Sequence, residues 1–155
     1  MLTLQIGTIL YNNEAVLHII IHVAELDVPI LDKAHQLKLA VVQVQQWLTD
    51  ISATRGLDGL NDGCDEAEKN AKQFKSLIND ISEIDTENAA SYQDMLTVFD
   101  DYYRVGKKMA QAYIDEGSTG GNQMMADFDA VAENISIEVD KLLALSAQRS
   151  EMGLI

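Results

Sequence analysis

The stretch Val42–Gly63, VQVQQWLTDISATRGLDGLNDG, changes character halfway along. Its first half continues an apolar line, Leu37, Val41, Val44, Leu48 and Ile51, spaced alternately four and three residues apart. That spacing places one buried stripe on one face of a helix. Its second half, RGLDGLNDG, holds three glycines and three Asn or Asp residues, a composition that ends the helix in a turn-rich loop. A long amphipathic helix stopped by a short loop sets the pattern for the whole chain.

Outward from that stretch, the same period predicts four helical blocks. The first runs from about Leu4 to Arg55 and contains the chain's one proline, Pro29, which either starts a fresh helix or kinks a continuous one. The second runs from about Cys64 to Ile84, with Ala67, Ala71, Phe74, Ile78 and Ile81 on one face. DTEN then breaks the chain, with Asp85 or Thr86 as the expected N-cap. The third runs from about Asn88 to Glu116 along Tyr92, Met95, Phe99, Tyr102, Met109 and Tyr113. EGSTGG is the third expected break, and the fourth block, about Asn122 to Arg149, carries Met125, Phe128, Ala132, Ile135, Val139 and Leu142. No strand pattern or repeat interrupts this order. Four amphipathic helices with short connections predict a single all-α domain, an antiparallel up-down-up-down four-helix bundle. The first block is nearly twenty residues longer than the fourth. Residues 1 to about 20 are therefore expected to project from the bundle, fold back before Pro29, or pair with another chain.

Composition narrows the function. The 155 residues carry 25 acids against 11 Lys and Arg, a net charge of −14. Such a surface repels nucleic acid and anionic lipid. The single cysteine, Cys64, excludes an internal disulfide and a paired-cysteine zinc site. The most apolar run, AVLHIIIHVA, is shorter than a membrane span and includes two histidines. Catalysis is not expected: there is no Gly-rich phosphate loop between strand and helix, and no nucleophile elbow.

In the up-down-up-down order, the end of helix one, the start of helix two, the end of helix three and the start of helix four share one pole. Arg55 is the next member of the buried line there, so its charge must meet a carboxylate, a carbonyl or a ligand anion. Gln43, Trp47, Asp50 and Thr54 form a second stripe about a quarter-turn from the core, suited to a helix interface or a pocket wall. Arg55, Lys69, Lys72, Arg104, Lys107 and Lys108 also lie toward this pole, a local positive potential that favours a small anion if those bases are not paired with neighbouring acids.

The segments KAHQLKLAVVQVQQWLTDISATRGLDGLNDG and GNQMMADFDAVAENI resemble the extracytoplasmic sensor domain of bacterial methyl-accepting chemotaxis proteins, from about Glu25 to Leu145. The resemblance implies the periplasmic domain of an inner-membrane receptor, flanked by transmembrane helices in the full-length protein, with no cofactor. It implies a homodimer through the first helix and a small-molecule ligand, or a ligand-loaded carrier protein, at the membrane-distal pole. The expected ligand wall is Gln43, Trp47, Asp50, Thr54 and Arg55, faced by Asn122 and Met125, and the signal is a small sliding of helix four. Arg55 is the only arginine on the first helix, where the better-known amino-acid receptors use several. An alternative is a metal- or haem-binding bundle: Glu14, His18, His22 and Glu25 lie on one helical face, and His18 and His22 stand one turn apart as a metal site requires.

Overall fold

The computed structural model describes residues 14–57, 59–60 and 62–152. Helix α1 runs without a break over residues 14–54, as residues 14–22, a π-helical turn Val23–Asp27 and an α-helix Val28–Thr54. Helix α2 is Gly63–Ile84, α3 is Ala89–Glu116 and α4 is Ser118–Met152. A 3-10 turn, Thr86–Asn88, joins α2 to α3. The four helices pack as an antiparallel up-down-up-down bundle, α1 lying beside both α2 and α4, with α1 and α3 meeting across the middle. The expected extension of the first block toward Leu4 lies outside the described residues.

Pro29 does not start a separate helix: α1 is continuous through it, and the irregularity it imposes is a π-turn. Pro29 lacks the N–H that would close the α-helical ladder onto Glu25. The ladder slips one residue earlier instead: Val28 N–H bonds to Val23 O, five residues back. The resulting π-turn rotates the preceding residues relative to the bundle and leaves Val23 and Asp27 both buried. Such turns recur at functional sites because they re-aim side chains.

The apolar line anticipated in α1 is the core, with Leu37, Val44 and Leu48 fully buried and Val41 and Ile51 nearly so. Phe74 of α2 stacks on Phe99 of α3 with ring centroids 3.8 Å apart and 6° between planes. Tyr102 stacks on Phe128 of α4 and donates its hydroxyl to Val41 O at 2.9 Å, so one buried tyrosine ties three helices together. Gly106 lets them approach: a Cβ there would lie 2.6 Å from both Leu48 and Phe128 side-chain carbons.

The breaks at DTEN and EGSTGG both occur, but the expected helix start and side-chain cap there are corrected. Within EGSTGG only Gly117, at φ +69°, interrupts the helices. Helix α4 starts at Ser118, four residues earlier than expected, with Gly120 and Gly121 inside its first turn. Gly121 is needed there because any side chain would strike the Tyr113 ring. Neither Asp85 nor Thr86 caps a helix with its side chain. The Asp85 carboxylate turns inward instead, as described below.

At 1.5 Å per residue the 41 residues of α1 span about 62 Å, against about 33 Å for the 22 of α2. Residues 14–22 consequently extend past the bundle as helix. Val16, Leu17, Ile19, Ile20 and Ile21 are 41% to 56% exposed there.

Candidate functional site

The loop pole is held by Arg55. Its backbone is left-handed, φ +54°, and its N–H closes α1 onto Ile51 O. Its guanidinium crosses to the end of α3, where Nε donates to Tyr113 O at 2.9 Å and Nη2 to Ile114 O at 3.1 Å. Tyr113 O also accepts the Gly117 N–H at 3.0 Å, so Arg55 is a second donor there, and its charge complements the partial negative charge of the helix end. Of the three partners that the sequence leaves open for Arg55, the structure supplies the carbonyls. Gly117 completes the fit, since a Cβ at that residue would sit 3.4 Å from the guanidinium.

The remaining expected wall residues divide. Gln43, Trp47, Asp50 and Thr54 do share one edge of α1, and that edge faces α2. The Trp47 carbonyl lies 3.0 Å from where a Gly63 Cβ would stand. Lys33, which is bonded to Asp80 of α2, falls about 40° from Trp47 on the helical wheel. The α4 side of α1 is marked by Lys38, whose Nζ meets Asp140 at 2.6 Å and which lies half a turn from Trp47. Asn122 accepts the Tyr113 hydroxyl at 2.5 Å, and Met125 packs partly buried against the core. The structure therefore brings Arg55 to the end of α3 and Asn122 beside Tyr113, but it does not set the α1 stripe opposite Asn122 and Met125.

The basic residues of this pole are largely matched. Lys69 pairs with Glu66, Lys72 with Glu68 and Arg104 with Asp101. Lys107 sits 4.4 Å over the Tyr103 ring, whose hydroxyl donates to Glu68 at 2.6 Å. That hydrogen bond holds the Glu68 carboxyl below its ordinary pKa, helped by Lys72 and Lys107, against a smaller opposing effect of burial. Cys64 at the start of α2 is exposed, and partial burial with neighbouring Asp65 pushes its thiol pKa up, away from reactivity.

The opposite pole holds the more unusual polar arrangement. Asp85, 5% exposed, accepts the Tyr92 hydroxyl at 2.8 Å and Asn88 Nδ2 at 2.9 and 3.0 Å, with Arg149 Nη1 at 3.5 Å. Burial opposes its ionisation, yet the Tyr92 and Asn88 hydrogen bonds, with Arg149, hold its carboxyl below the usual carboxylate value. Burial and this same carboxylate push the Tyr92 pKa far up. The α2–α3 turn, the start of α3 and the end of α4 are thus fastened on one side chain.

Beside this anchor a cavity of about 600 Å³ opens between the π-turn of α1, the α2–α3 turn and Arg149. His18 and His22 line it, one turn apart. Among the described residues no three His, Cys, Asp or Glu side chains group as a metal set. Asp27 also lines it, 4% exposed, and its Oδ1 has no hydrogen-bond partner among the described residues. This site was not anticipated as such, although the sequence did hold a signal. Val23, Asp27, Ile30, Ala34 and Leu37 are spaced four and three apart, which puts an aspartate on the core line.

Among the described residues no helix is long and apolar enough to cross a membrane. No protein-family model, curated protein or solved structure matches the chain.

Proposed function

We propose that this chain is the sensing bundle of a bacterial membrane receptor of the methyl-accepting chemotaxis type, working in the periplasm. One observation carries the reading. Helices α1 and α4 run side by side and leave the bundle at the same pole, and α1 continues beyond it with its apolar side chains exposed. Two such helices can deliver a change in their packing as a relative displacement at that pole. The exposed α1 extension is the proposed homodimer surface. The proposed ligand is a small molecule, or a carrier protein bearing one, received at the loop pole. Because Arg55 is engaged on α3 carbonyls, the wall there reduces to the α2-facing edge, Gln43, Trp47, Asp50 and Thr54, with Arg55, Asn122 and Met125 shaping the end of the pole.

The test is a thermal-shift screen with organic acids, amino acids and inorganic anions. A ligand at 100 times its dissociation constant adds about 2.7 kcal/mol of stability. For a chain of this size that raises the midpoint by several degrees, at roughly 2–4 °C per kcal/mol. A hit that Trp47→Ala abolishes supports the reading. A panel without hits, together with no partner on isolated carrier proteins, overturns it.

A further inference from the structure

We infer that the cavity lined by Asp27, His18 and His22 binds a small organic cation, an alkylammonium group anchored on the Asp27 carboxylate. This site lies at the pole opposite the proposed sensing wall and does not rest on the receptor reading.

Asp27 is the observation that asks for a ligand. Its side chain is almost wholly removed from water, and a buried carboxylate oxygen without a donor is costly to maintain. The nearest basic atom, His22 Nε2, is 4.0 Å from Oδ2, too far for a hydrogen bond. The contrast with Asp85 across the same cavity is direct. Asp85 has four donor contacts, from Tyr92, Asn88 (two) and Arg149, and needs nothing more. Asp27 lines the same space, and its buried Oδ1 has no hydrogen-bond partner among the described residues. The α-helical spacing from Ile30 holds Asp27 on the core line, and the π-turn rotates the residues before it, His18 and His22 among them, relative to that carboxylate.

The chemistry of the walls selects the class. The cavity carries three carboxylates, Asp27, Asp85 and Glu87, against one guanidinium, Arg149, which is already turned to Asp85. With the chain at −14 overall, the local field favours a cation. Ile19, Val23 and Leu26 supply an apolar wall for a short carbon chain. The volume, about 600 Å³, falls in the range of small-molecule sites and is far larger than a bare ion needs. An ammonium group donates to Asp27, its alkyl chain lies on Ile19 and Leu26, and the His18 and His22 imidazoles at the mouth accept its remaining N–H bonds.

The experiment follows amide chemical shifts of the full chain during titration with n-butylammonium chloride, with 1-butanol, sodium butyrate and zinc chloride titrated in parallel. Butylammonium is expected to give saturable shifts concentrated in residues 18–30 and 145–149, with a dissociation constant in the millimolar range suited to so small a probe. Asp27→Asn keeps the shape, removes the charge, and is expected to weaken binding at least tenfold. Ile19→Trp fills the mouth from an exposed position, which spares the core, and is expected to block binding. The inference is overturned by equal saturation with 1-butanol or stronger saturation with butyrate. It is equally overturned by a response to zinc alone, by shifts scattered outside this pole, or by an Asp27→Asn affinity within tenfold of the parent.

Discussion

Arg55 and Asp27 continue the apolar line of α1 at either end, and the structure treats them differently: Asp27 is buried, whereas Arg55 lies exposed where the helix ends. Arg55 spends its guanidinium on the carbonyls of α3 while its own backbone sits at φ +54°. Hydrogen bonds to charged groups contribute about 1.5–3 kcal/mol, and a left-handed non-glycine residue costs roughly 1 kcal/mol. Arg55→Ala is therefore expected to lower unfolding stability by about 1–3 kcal/mol in urea titrations, and Arg55→Gly by less, because glycine removes the backbone cost. Equal losses in the two variants would show that the backbone conformation contributes nothing. Asp85 gives a pH dependence at the same scale. Its folded pKa is depressed, so it contributes stability above its unfolded pKa and loses that contribution as pH falls through the folded value. Asp85→Asn is expected to flatten the loss of stability between neutral pH and pH 3, measured by thermal midpoints. The spacing marks Arg55 as the next member of the apolar line, whereas Asp27 is recognised on it only once the structure buries it. Spacing could not show which partner Arg55 takes, because the carbonyls of residues 113 and 114 become acceptors only when α3 ends beside it.

The four elements were legible because their apolar residues keep the helical period without interruption. Their ends were less so. EGSTGG looks like a loop by composition, yet Gly120 and Gly121 serve close packing against Glu116 and Tyr113 rather than flexibility. Gly106 makes the same point within α3. Any side chain there meets Leu48 and Phe128 at 2.6 Å, and both are fully buried and unable to move aside freely. Gly106→Ala gains helix propensity of about 1 kcal/mol but overpacks three helices, so a net loss of roughly 1–2 kcal/mol is expected from chemical denaturation. The α1–α4 ligand wall was misplaced for a related reason: a stripe a quarter-turn from the core has two possible sides. The side is settled by Lys33 reaching Asp80 and Lys38 reaching Asp140, pairings that spacing does not specify. The extension of α1 has its own consequence. Nine residues of helix with exposed Val, Leu and Ile are marginal alone and gain from pairing. Sedimentation equilibrium is expected to show a monomer–dimer equilibrium that Ile20→Glu weakens at least tenfold, with the thermal midpoint at low concentration unchanged because Ile20 touches no core. A strictly monomeric parent at millimolar concentration removes this surface as the dimer interface.

For the molecule as a whole, the bundle's interior is continuous while its interhelix ion pairs are few and exposed. Lys33–Asp80, Lys38–Asp140 and Lys75–Asp100 each join two helices, with side chains 23% to 54% exposed. Pairs of this kind contribute about 0–1 kcal/mol each and do not lock the register of one helix against another. The pole holding His18 and His22 is different, because Asp85 joins the α2–α3 turn, α3 and α4 while making no hydrogen bond to α1 among the described residues. Helix α1 is consequently the element least tied at the pole where α1 and α4 leave the bundle, and its π-turn is a natural point of adjustment. If the chain signals as proposed, spin labels at exposed Ala24 on α1 and Gln148 on α4 should report a change of about 1–2 Å in their mean separation on saturation with a ligand found in the screen. Labels at Asn79 on α2 and Asp94 on α3, on the side anchored by Asp85, should keep their separation. A shift shared equally by both pairs would mean that the bundle expands as one body, and an unchanged α1–α4 distance under a ligand that stabilises the fold would mean that binding and helix displacement are not coupled.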